Sequence, residues 1–297
     1  MGRIANVVTS CLFFALLPLA GVFAKSERVT AAAPLESVSV LTLDGQIVIE
    51  PDGHVSDVVI DTKLTPSLAA MVKRHVLAWR FKPLTFDGAA RQVKSLMHMG
   101  LAAADEQGKY RVWVDSVTFP EIAGSVVHHV DGEPESISAG ETRPPIYPAE
   151  LQSRGFMGTV LLAIRVTADG KAGDVVAVQS MYYGFNQPKW PSPKALKMLE
   201  SNAINSARHW TFIVPGGSAR VPDRMTVTVP VQYSMGYDLN TPGVWLKVRR
   251  TPQRPIGWLP PEPGPSRFGV ANFSGNAVSQ YGAGPTLIND VAAAPLL

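Results

Sequence analysis

Apolar residues recur along the chain first in the pattern of β-strands and then at helical spacing, and this order occurs twice. In the first stretch, β-branched-rich runs lie on both sides of Asp44 and Gly45, a pair typical of a two-residue hairpin loop because both positions accept positive φ. A third run ends at Ile60, after which apolar residues recur at helical spacing over residues 64–76. The pattern predicts a β-hairpin, a strand, a helix and a closing strand over residues 91–101.

The second stretch follows this order with clearer alternation. Residues 159–167 and 174–180 indicate two strands on either side of an Asp-Gly turn, and residues 196–207 keep apolar positions at helical spacing. A last strand, residues 225–235, alternates apolar residues with polar or small ones, which predicts one face in the core and one in water. Pro230 cannot donate to a β-ladder, so it predicts that this strand lies at a sheet edge with that position facing outward.

Local sequence indicates that the two stretches are copies of one unit. DGHVSDVVI begins at Asp52 and DGKAGDVVAV at Asp169, and each copy later carries Trp-x-Phe, at Trp79 and at Trp210. A hydroxyl residue followed by proline precedes each helix. This combination favours a helix start, because the hydroxyl residue caps the helix and the proline lacks only an N–H that the first turn leaves unused. Landmarks that recur in one order predict an internal repeat.

The two copies differ in length. The distance from the glycine of the Asp-Gly turn to the hydroxyl residue before the helix is 12 residues in the first copy and 22 in the second, which places an insertion at residues 181–191. The predicted fold class is α+β, with two tandem small domains, residues 25–104 and 143–237. Each domain is predicted to be a short antiparallel sheet packed on one main helix. Residues 105–142 are predicted to form a hairpin and a linker.

Residues 238–297 have a different composition from the two copies. Seven prolines between positions 242 and 265, followed by a Gly-rich run, predict an extended or disordered tail, because proline cannot sustain a ladder or a helix. Trp245 and Trp258 interrupt this composition. They either dock on the surface of the same chain or anchor a partner.

The N-terminus predicts export. Arg3 supplies a positive charge before a nearly continuous apolar run, and small residues precede Lys25, which is the arrangement of a cleavable signal peptide over residues 1–24. Residues 4–24 are also just long enough to cross a bilayer of about 30 Å, so a permanent membrane anchor is the alternative. The lone cysteine, Cys11, lies in this segment, so the exported part contains neither a disulfide framework nor a thiolate metal site.

Candidate chemistry is sparse. A net charge of +3 without a dense basic stripe makes nucleic acid a poor partner. The signatures of serine hydrolases, zinc proteases, P-loop proteins and dinucleotide-binding proteins are absent from the sequence. His128 and His129 are adjacent, and adjacent strand residues point to opposite faces, so they predict exposed histidines rather than a metal site. Asp52 and Asp169 are interpreted as turn formers. The sequence predicts no catalytic residue, no cofactor and no metal.

One set of landmarks occurs in a fixed order over residues 143–236. It consists of Tyr-Pro before a short helix, a Gly-x-Val strand, an Asp-Gly turn, a helix that ends at Trp-x-Phe, and a closing strand. The residues concerned are Tyr147, Pro148, Gly158, Val160, Asp169, Gly170, Trp210, Phe212 and the strand 227–233. This pattern resembles the C-terminal domain of TonB-type energy transducers. Residues 37–103 are similar to a second, diverged copy of it without the Tyr-Pro pair.

The resemblance implies a non-enzymatic protein-binding module of the periplasm, linked to TonB-dependent transmembrane transport. Such a module captures an extended segment of an envelope protein, for example a TonB-dependent outer-membrane receptor, by strand addition. The alternative is a membrane-anchored TonB energy transducer, which needs a permanent anchor and a long spacer. The sequence leaves open whether the chain forms a homo-oligomer. The implied partner-binding residues are Met225, Thr226, Val227, Thr228, Val229, Pro230, Val231, Gln232 and Tyr233 on the edge strand, with Pro145, Ile146, Tyr147 and Pro148 in the extended segment before the short helix.

Overall fold

The computed structural model describes most of both copies and parts of the tail. The described residues are 35–119, 136–183, 193–216, 225–236, 241–260, 278–282, 284–288 and 296. The predicted signal segment, His128 and His129, and most of the predicted insertion at 181–191 lie outside them. Among the described residues, no helix is both long and apolar enough to cross a membrane.

The first copy folds into a long strand, a short strand, a helix and a long hairpin. Its elements are β1 (Glu36–Ile49), β2 (Val55–Ile60), α1 (Pro66–Leu77), β3 (Thr85–Phe86), β4 (Ala89–Ala90), β5 (Val93–Glu106) and β6 (Lys109–Thr118). The predicted helix start is confirmed, with Thr65 at the N-cap position and Pro66 in the first turn, but the Thr65 side chain does not make the predicted capping hydrogen bond. The β5–β6 hairpin turns at Gln107 and Gly108, both of which have positive φ. The predicted domain boundary at residue 104 therefore falls inside a strand.

The predicted hairpin at Asp44 and Gly45 is wrong. β1 runs through both residues without a turn, paired with β5 on one side and, from Gly45 onward, with β2 on the other. The glycine serves close packing instead, because a Cβ at this position would lie 2.5 Å from the carbonyl oxygen of Val59. An Asp-Gly pair permits a tight turn, but it does not require one when strand partners are present on both flanks.

The second copy has the same order of main elements. They are β7 (Ser138–Ala139), α2 (Ala149–Gln152), β8 (Met157–Val166), β9 (Ala172–Tyr183), α3 (Pro193–Ala207), β10 (Phe212–Ile213) and β11 (Thr226–Tyr233), and the tail adds β12 (Leu246–Arg250) and β13 (Ser279–Gln280). β9 continues through Met181 to Tyr183, so the first residues of the predicted insertion lengthen a strand. β9 is therefore twice as long as β2, its counterpart in the first copy.

Equivalent contacts hold the Asp-Gly turn of each copy against its Trp-x-Phe segment. The Phe81 N–H donates to the Gly53 carbonyl at 2.8 Å, and the Phe212 N–H donates to the Gly170 carbonyl at 2.7 Å. Both glycines have positive φ, and a Cβ on either one would lie within 2.3 Å of the carbonyl oxygen of that phenylalanine. The strand order is also the same, β2-β1-β5 in the first copy and β9-β8-β11 in the second.

The prediction of two tandem small α+β domains is wrong, because one antiparallel sheet contains the long strands of both copies, and only the short pairs β3-β4 and β7-β10 lie outside it. The order of this nine-stranded sheet is β13-β11-β8-β9-β12-β1-β5-β6, and β2 pairs with the second half of β1. β12 joins the copies. It pairs with residues 36–40 of β1 and, through Arg249 and Arg250, with Tyr182 and Met181 of β9. The protein is thus mainly β, and α1 and α3 pack on the shared sheet.

The prediction of a disordered tail over residues 238–297 is wrong for the parts that the structure describes. Leu246 and Val248 of β12 pack in the sheet, and the nearest prolines lie outside this strand, so they do not interrupt its ladder. Trp258 docks on the same chain, which was one of the two alternatives for the tail tryptophans. Its indole N–H donates to Thr226 Oγ1 at 2.9 Å.

Both faces of the sheet are covered. The helix face carries two apolar cores, one in each copy, which bury Trp79 and Trp210. The opposite face, here called the inner face, holds a third apolar cluster that includes Val40, Leu161 and Val248. Residues from both copies and from the tail thus share one core on the inner face, which an arrangement of separate domains does not allow.

The sheet curls so that its two ends approach each other. The Tyr281 N–H donates to the Thr226 carbonyl of β11 at 2.8 Å, and three residues later Gly284 lies against the carbonyl oxygen of Phe119, next to the end of β6. Three residues of chain span no more than about 11 Å. Trp113 of β6 and Tyr281 accordingly pack against the same inner-face cluster.

The buried side chain of Arg250 connects β12 to β1 and β6 through two ion pairs. The Arg250 side chain, which is 7% exposed, donates from Nε to Glu36 at 3.0 Å and from Nη1 to Asp115 at 2.7 Å. Burial alone would lower the pKa of Arg250, but the two carboxylates outweigh it and raise this pKa above its usual value. Because the loss of one partner would leave an uncompensated buried charge, these contacts favour the observed register of β12.

Candidate functional site

The strand that the sequence assigns to partner binding, residues 225–233, forms β11 near one end of the sheet. It pairs along its whole length with β8. Its other flank is here called the β11 edge, and this edge is partly occupied, since Val227 and Thr228 pair with Gln280 and Ser279 of β13. The predicted edge strand is therefore the second strand from the end, because the tail of the same chain adds a strand of two residues.

The prediction that the polar face of β11 lies in water is wrong. Thr226 and Thr228 are fully buried, with 0% exposure. Trp258 donates to the Thr226 hydroxyl, and the Thr228 hydroxyl donates to the Ser279 carbonyl at 3.3 Å. The alternation in the sequence therefore separates two buried faces. One face is apolar, and the other carries hydroxyl groups whose partners come from the tail.

Backbone groups of alternate residues point to the β11 edge. The Val166 N–H donates to the Met225 carbonyl at 2.6 Å on the β8 side, whereas the Tyr281 N–H donates to the Thr226 carbonyl on the tail side. Because backbone groups alternate between the flanks of a strand, the other even-numbered residues of β11 also face this edge. Pro230 thus faces away from β8, as predicted, and it leaves one position of the β11 edge without a donor.

The equivalent strand of the first copy has a more complete neighbour. When the two copies are aligned on their Asp-Gly turns and the strand pairing is followed from there, His98 of β5 is equivalent to Pro230 of β11. β6 covers β5 from His98 to Glu106, whereas β13 pairs with β11 no further than Thr228. Within the described ranges, no strand pairs with the β11 edge over residues 230–233. The second copy therefore has no described strand at the place where the first copy has β6.

The second predicted binding segment, residues 145–148, lies beside the C-terminal end of β11. The ring of Tyr147 packs edge-on against that of Tyr233, with ring centroids 5.3 Å apart, and Pro148 is the N-cap of α2. Ile146 is 88% exposed. The structure thus brings the two predicted binding segments together through their tyrosines and leaves one apolar side chain open to solvent next to them.

Burial keeps the tyrosines at this junction neutral. Desolvation raises the pKa of Tyr147, and it raises the pKa of Tyr233 together with a smaller effect of Tyr147. The Tyr233 hydroxyl donates to Asn202 Oδ1 of α3 at 2.7 Å. The Tyr233 hydroxyl therefore anchors β11 to α3, and the raised pKa values move both phenols further from neutral pH.

Two carboxylate–histidine pairs lie in the described part of the chain. Asp52 pairs with His54, and hydrogen bonds from the His54 backbone and ring hold the pKa of Asp52 below its usual value. Asp44 pairs with His98 across β1 and β5, a pair that sequence reasoning missed because 54 residues separate its members. Among the described side chains, neither histidine has a hydrogen-bonded nucleophile. No group of three or more potential metal ligands occurs in the same part of the chain.

Sequence reasoning also missed the two strands of the tail, β12 between β9 and β1 and β13 on the β11 edge. For β12, the alternation of Leu246 and Val248 with charged residues was a usable signal, but the surrounding prolines obscured it. For β13, a few β-forming residues between glycines carry no distinctive pattern. Comparisons of the chain with protein-family models, with curated proteins and with solved structures found no match.

Proposed function

We propose that this chain is a non-enzymatic protein-binding module that captures an extended segment of an envelope protein by adding it as a strand to the β11 edge. One observation carries the proposal. The edge already accepts an extended segment, β13, which is remote from β11 in the sequence and pairs with it in antiparallel orientation. A flank that binds one such segment has the geometry to bind another.

The β11 edge presents further main-chain groups beyond the positions that β13 covers. Gln232 faces this flank with an N–H and a carbonyl, and Pro230 faces it with a carbonyl alone. Main-chain pairing supplies affinity that depends little on the side chains of the partner, whereas contacts with its alternate side chains supply selectivity. The exposed side chain of Ile146 lies next to this end of the strand through Tyr147, and it suits an apolar residue of a partner.

The resemblance of residues 143–236 to the C-terminal domain of TonB-type energy transducers supports the same proposal. That resemblance implies strand addition to an envelope partner, and it implies the periplasm as the compartment. A TonB-dependent outer-membrane receptor is one partner class that this proposal includes. Sequencing of the N-terminus of the exported protein separates a processed periplasmic protein, which starts near Lys25, from an anchored one.

The test of the proposal separates main-chain from side-chain recognition at a single residue. A photo-crosslinking residue at position 146 first identifies the partner in cells, and the affinity of this partner is then measured for two variants. Gln232→Pro removes the outward N–H without touching the ladder to β8, and Gln232→Ala keeps that N–H. We expect Gln232→Pro to weaken binding at least about fivefold, the value of one net hydrogen bond. Gln232→Ala should bind like the parent chain.

The result counts only for folded protein, so circular dichroism accompanies each affinity. Pro230 already occupies an outward position of the same strand, which indicates that the fold tolerates a second proline there. A folded Gln232→Pro variant with unchanged affinity for the partner would rule out strand addition through the β11 edge.

A further inference from the structure

Residues 278–281 of the tail occupy the β11 edge in the way that a bound peptide does. Ser279 and Gln280 form an antiparallel pair with β11. The Tyr281 N–H extends this ladder by one hydrogen bond to Thr226, at 2.8 Å. The segment therefore takes up the main-chain groups at the start of the edge that the proposed partner needs.

The side chains of this segment alternate between the two faces of the sheet, as those of an added strand do. Val278 packs against the core on the helix face, and on the same side the Gln280 side-chain oxygen accepts the Ile137 N–H at 2.7 Å. Ser279 and Tyr281 alternate with them, and Tyr281 packs on the inner face. The edge thus accommodates, in order, an apolar, a small, an amide and an aromatic side chain.

The pairing of this segment with β11 is weak compared with the pairing of β6 with β5 in the first copy. β13 has two residues, whereas β6 has ten. All four residues of the segment are only half-buried, and a ladder of two residue pairs supplies few main-chain hydrogen bonds. Contacts further along keep the tail close to the edge. The Lys82 N–H donates to the Thr286 carbonyl at 2.8 Å, and the Ile288 N–H donates to the Arg80 carbonyl at 2.9 Å.

We propose that residues 278–281 are a built-in competitor for the β11 edge. The partner of this edge then carries an extended segment with the same order of side chains, namely apolar, small, amide and aromatic. The inference rests on the proposed function, because it assigns the competitor and the specificity of that same site. When the tail segment leaves, the even-numbered residues from Thr226 to Gln232 form one continuous edge for the partner.

A tethered competitor weakens binding by a predictable amount. The apparent dissociation constant of a free peptide rises by the inverse of the fraction of molecules whose edge is free. A tethered segment acts at an effective concentration of about millimolar, which is enough for a short strand to exclude a short peptide. A partner segment that also pairs with the β11 edge near Gln232, where no described strand pairs, gains hydrogen bonds that the tail segment does not make, and it therefore displaces the tail.

The test adds a fluorescent peptide with the sequence of residues 276–284, NAVSQYGAG, to the full-length chain. In the parent chain the tail holds the edge, so we expect weak binding. The double variant Val278→Asp/Tyr281→Asp places charges at the two apolar contacts of the segment and leaves β11 unchanged. We expect its Kd for the peptide to be at least about tenfold lower, which corresponds to a tail that covers the edge nine-tenths of the time.

Ile288→Asp is the matched control. The Ile288 side chain is 64% exposed, and the contact of this residue with Arg80 uses its backbone N–H. The substitution therefore adds a charge to the tail without disturbing residues 278–281. This variant should bind the peptide as weakly as the parent chain does.

The outcomes distinguish the competitor from the proposed function. Equally tight binding by the parent chain and the double variant would overturn the competitor and leave strand addition standing. Failure of both chains to bind the peptide would overturn strand addition at this edge together with the competitor. Hydrogen exchange gives a readout without the peptide, because the Thr228 amide should exchange faster in the double variant than in Ile288→Asp, and equal exchange would contradict the proposal.

A milder variant keeps the test decisive if the double variant does not fold. Gln280→Ala removes only the carboxamide that accepts the Ile137 N–H. It should lower the Kd for the peptide in the same direction but by less, and an unchanged Kd would count against the competitor.

Discussion

The equivalent strands β5 and β11 have different neighbours on the same flank. In the first copy, β6 follows β5 through a tight turn and covers the flank from His98 to Glu106. In the second copy, the described neighbour on that flank is β13, which comes from the tail and pairs with Val227 and Thr228. The same strand thus has a neighbour that is adjacent in sequence in one copy and a remote one in the other.

This difference has a consequence for how readily each flank opens. A hairpin strand closes a short loop when it pairs, whereas a remote segment closes a much longer loop and loses more entropy. A short remote strand therefore separates more easily, and a segment from another protein can replace it. The comparison explains why we place partner binding in the second copy although both copies contain the same unit.

The strands on the other side of each copy, β2 and β9, also differ in their neighbours. β9 pairs with β12, and beyond β12 the Thr251 N–H and the Arg254 N–H continue the contact with β9 at 2.9 Å each. In the described part of the chain, β2 has no strand neighbour on its outer flank, where the Val58 N–H instead donates to the carboxylate of Asp57 at 2.8 Å. The second copy therefore depends on the tail at both of its outer strands.

Removal of the tail tests this dependence, and we expect it to have the largest effect of the changes considered. A chain that ends at Tyr237 loses β12 and β13, and it leaves the Asp115 carboxylate, which is 10% exposed, without Arg250. An uncompensated buried charge alone costs about 3–5 kcal/mol. We expect a lower Tm in thermal unfolding, and we expect amides of β9 and β11 to lose hydrogen-exchange protection before those of β5.

A chain that ends at Pro260 is the control for this truncation, because it keeps β12 and the Arg250 ion pairs. It should unfold in one cooperative transition. Equal Tm values for the two truncated chains would show that β12 does not join the copies.

Substitution of the two Trp-x-Phe tryptophans sharpens the comparison between the cores. Trp79 and Trp210 are 0% and 4% exposed, so each change to alanine should lower the free energy of unfolding by about 3–5 kcal/mol. Urea denaturation measures this loss. Trp245→Ala is the control, since Trp245 is 39% exposed and should cost less than about 1 kcal/mol.

A change to phenylalanine at the same positions isolates the indole N–H. The Trp210 Nε1 donates to the Arg143 carbonyl at 2.8 Å, whereas the Trp79 Nε1 has no hydrogen-bond partner among the described residues. Trp210→Phe should therefore cost about 1 kcal/mol more than Trp79→Phe. Equal costs would mean that the contact with Arg143 does not stabilise the second copy.

The smallest expected effect is a pH dependence of stability that arises in the first copy alone. Burial lowers the pKa of His75, whose position is taken by Ser206 in the second copy. Because the folded pKa lies below the unfolded value of about 6.5, the unfolded chain binds more protons between the two pKa values. The contribution of His75 to stability is therefore complete above about pH 6.5, and it is lost as the pH falls through this window.

The variant His75→Gln tests this pH effect by thermal unfolding. It should reduce the difference between the Tm at about pH 7.5 and the Tm at about pH 5.5. The carboxylates of Asp52 and Asp169 have pKa values below their usual range, so they titrate at lower pH and do not mask the result. An unchanged Tm difference would assign the effect to groups other than His75.

Features that depend on a few neighbouring residues were predictable from the sequence. The start of α1 at Pro66, the burial of Trp79 and Trp210, and the outward position of Pro230 all follow from local rules about caps, apolar periodicity and the missing N–H of proline. Features that depend on a distant partner were predicted wrongly. Thr226 and Thr228 of β11 are buried rather than in water, because their hydroxyl groups bond to Trp258 and Ser279 of the tail.

By itself, the sequence determined that the chain contains two copies of one unit and where the helix of each copy begins, because glycine turns, helix-start prolines and apolar periodicity act within each unit. Only the tertiary structure decided that the two units share one sheet, that the tail supplies β12 between them, and that β13 lies on the β11 edge. The physical reason is that strands pair through main-chain groups, which are the same in nearly every residue. The side-chain pattern of a strand therefore shows which face is apolar, but it does not show which segment will lie beside the strand.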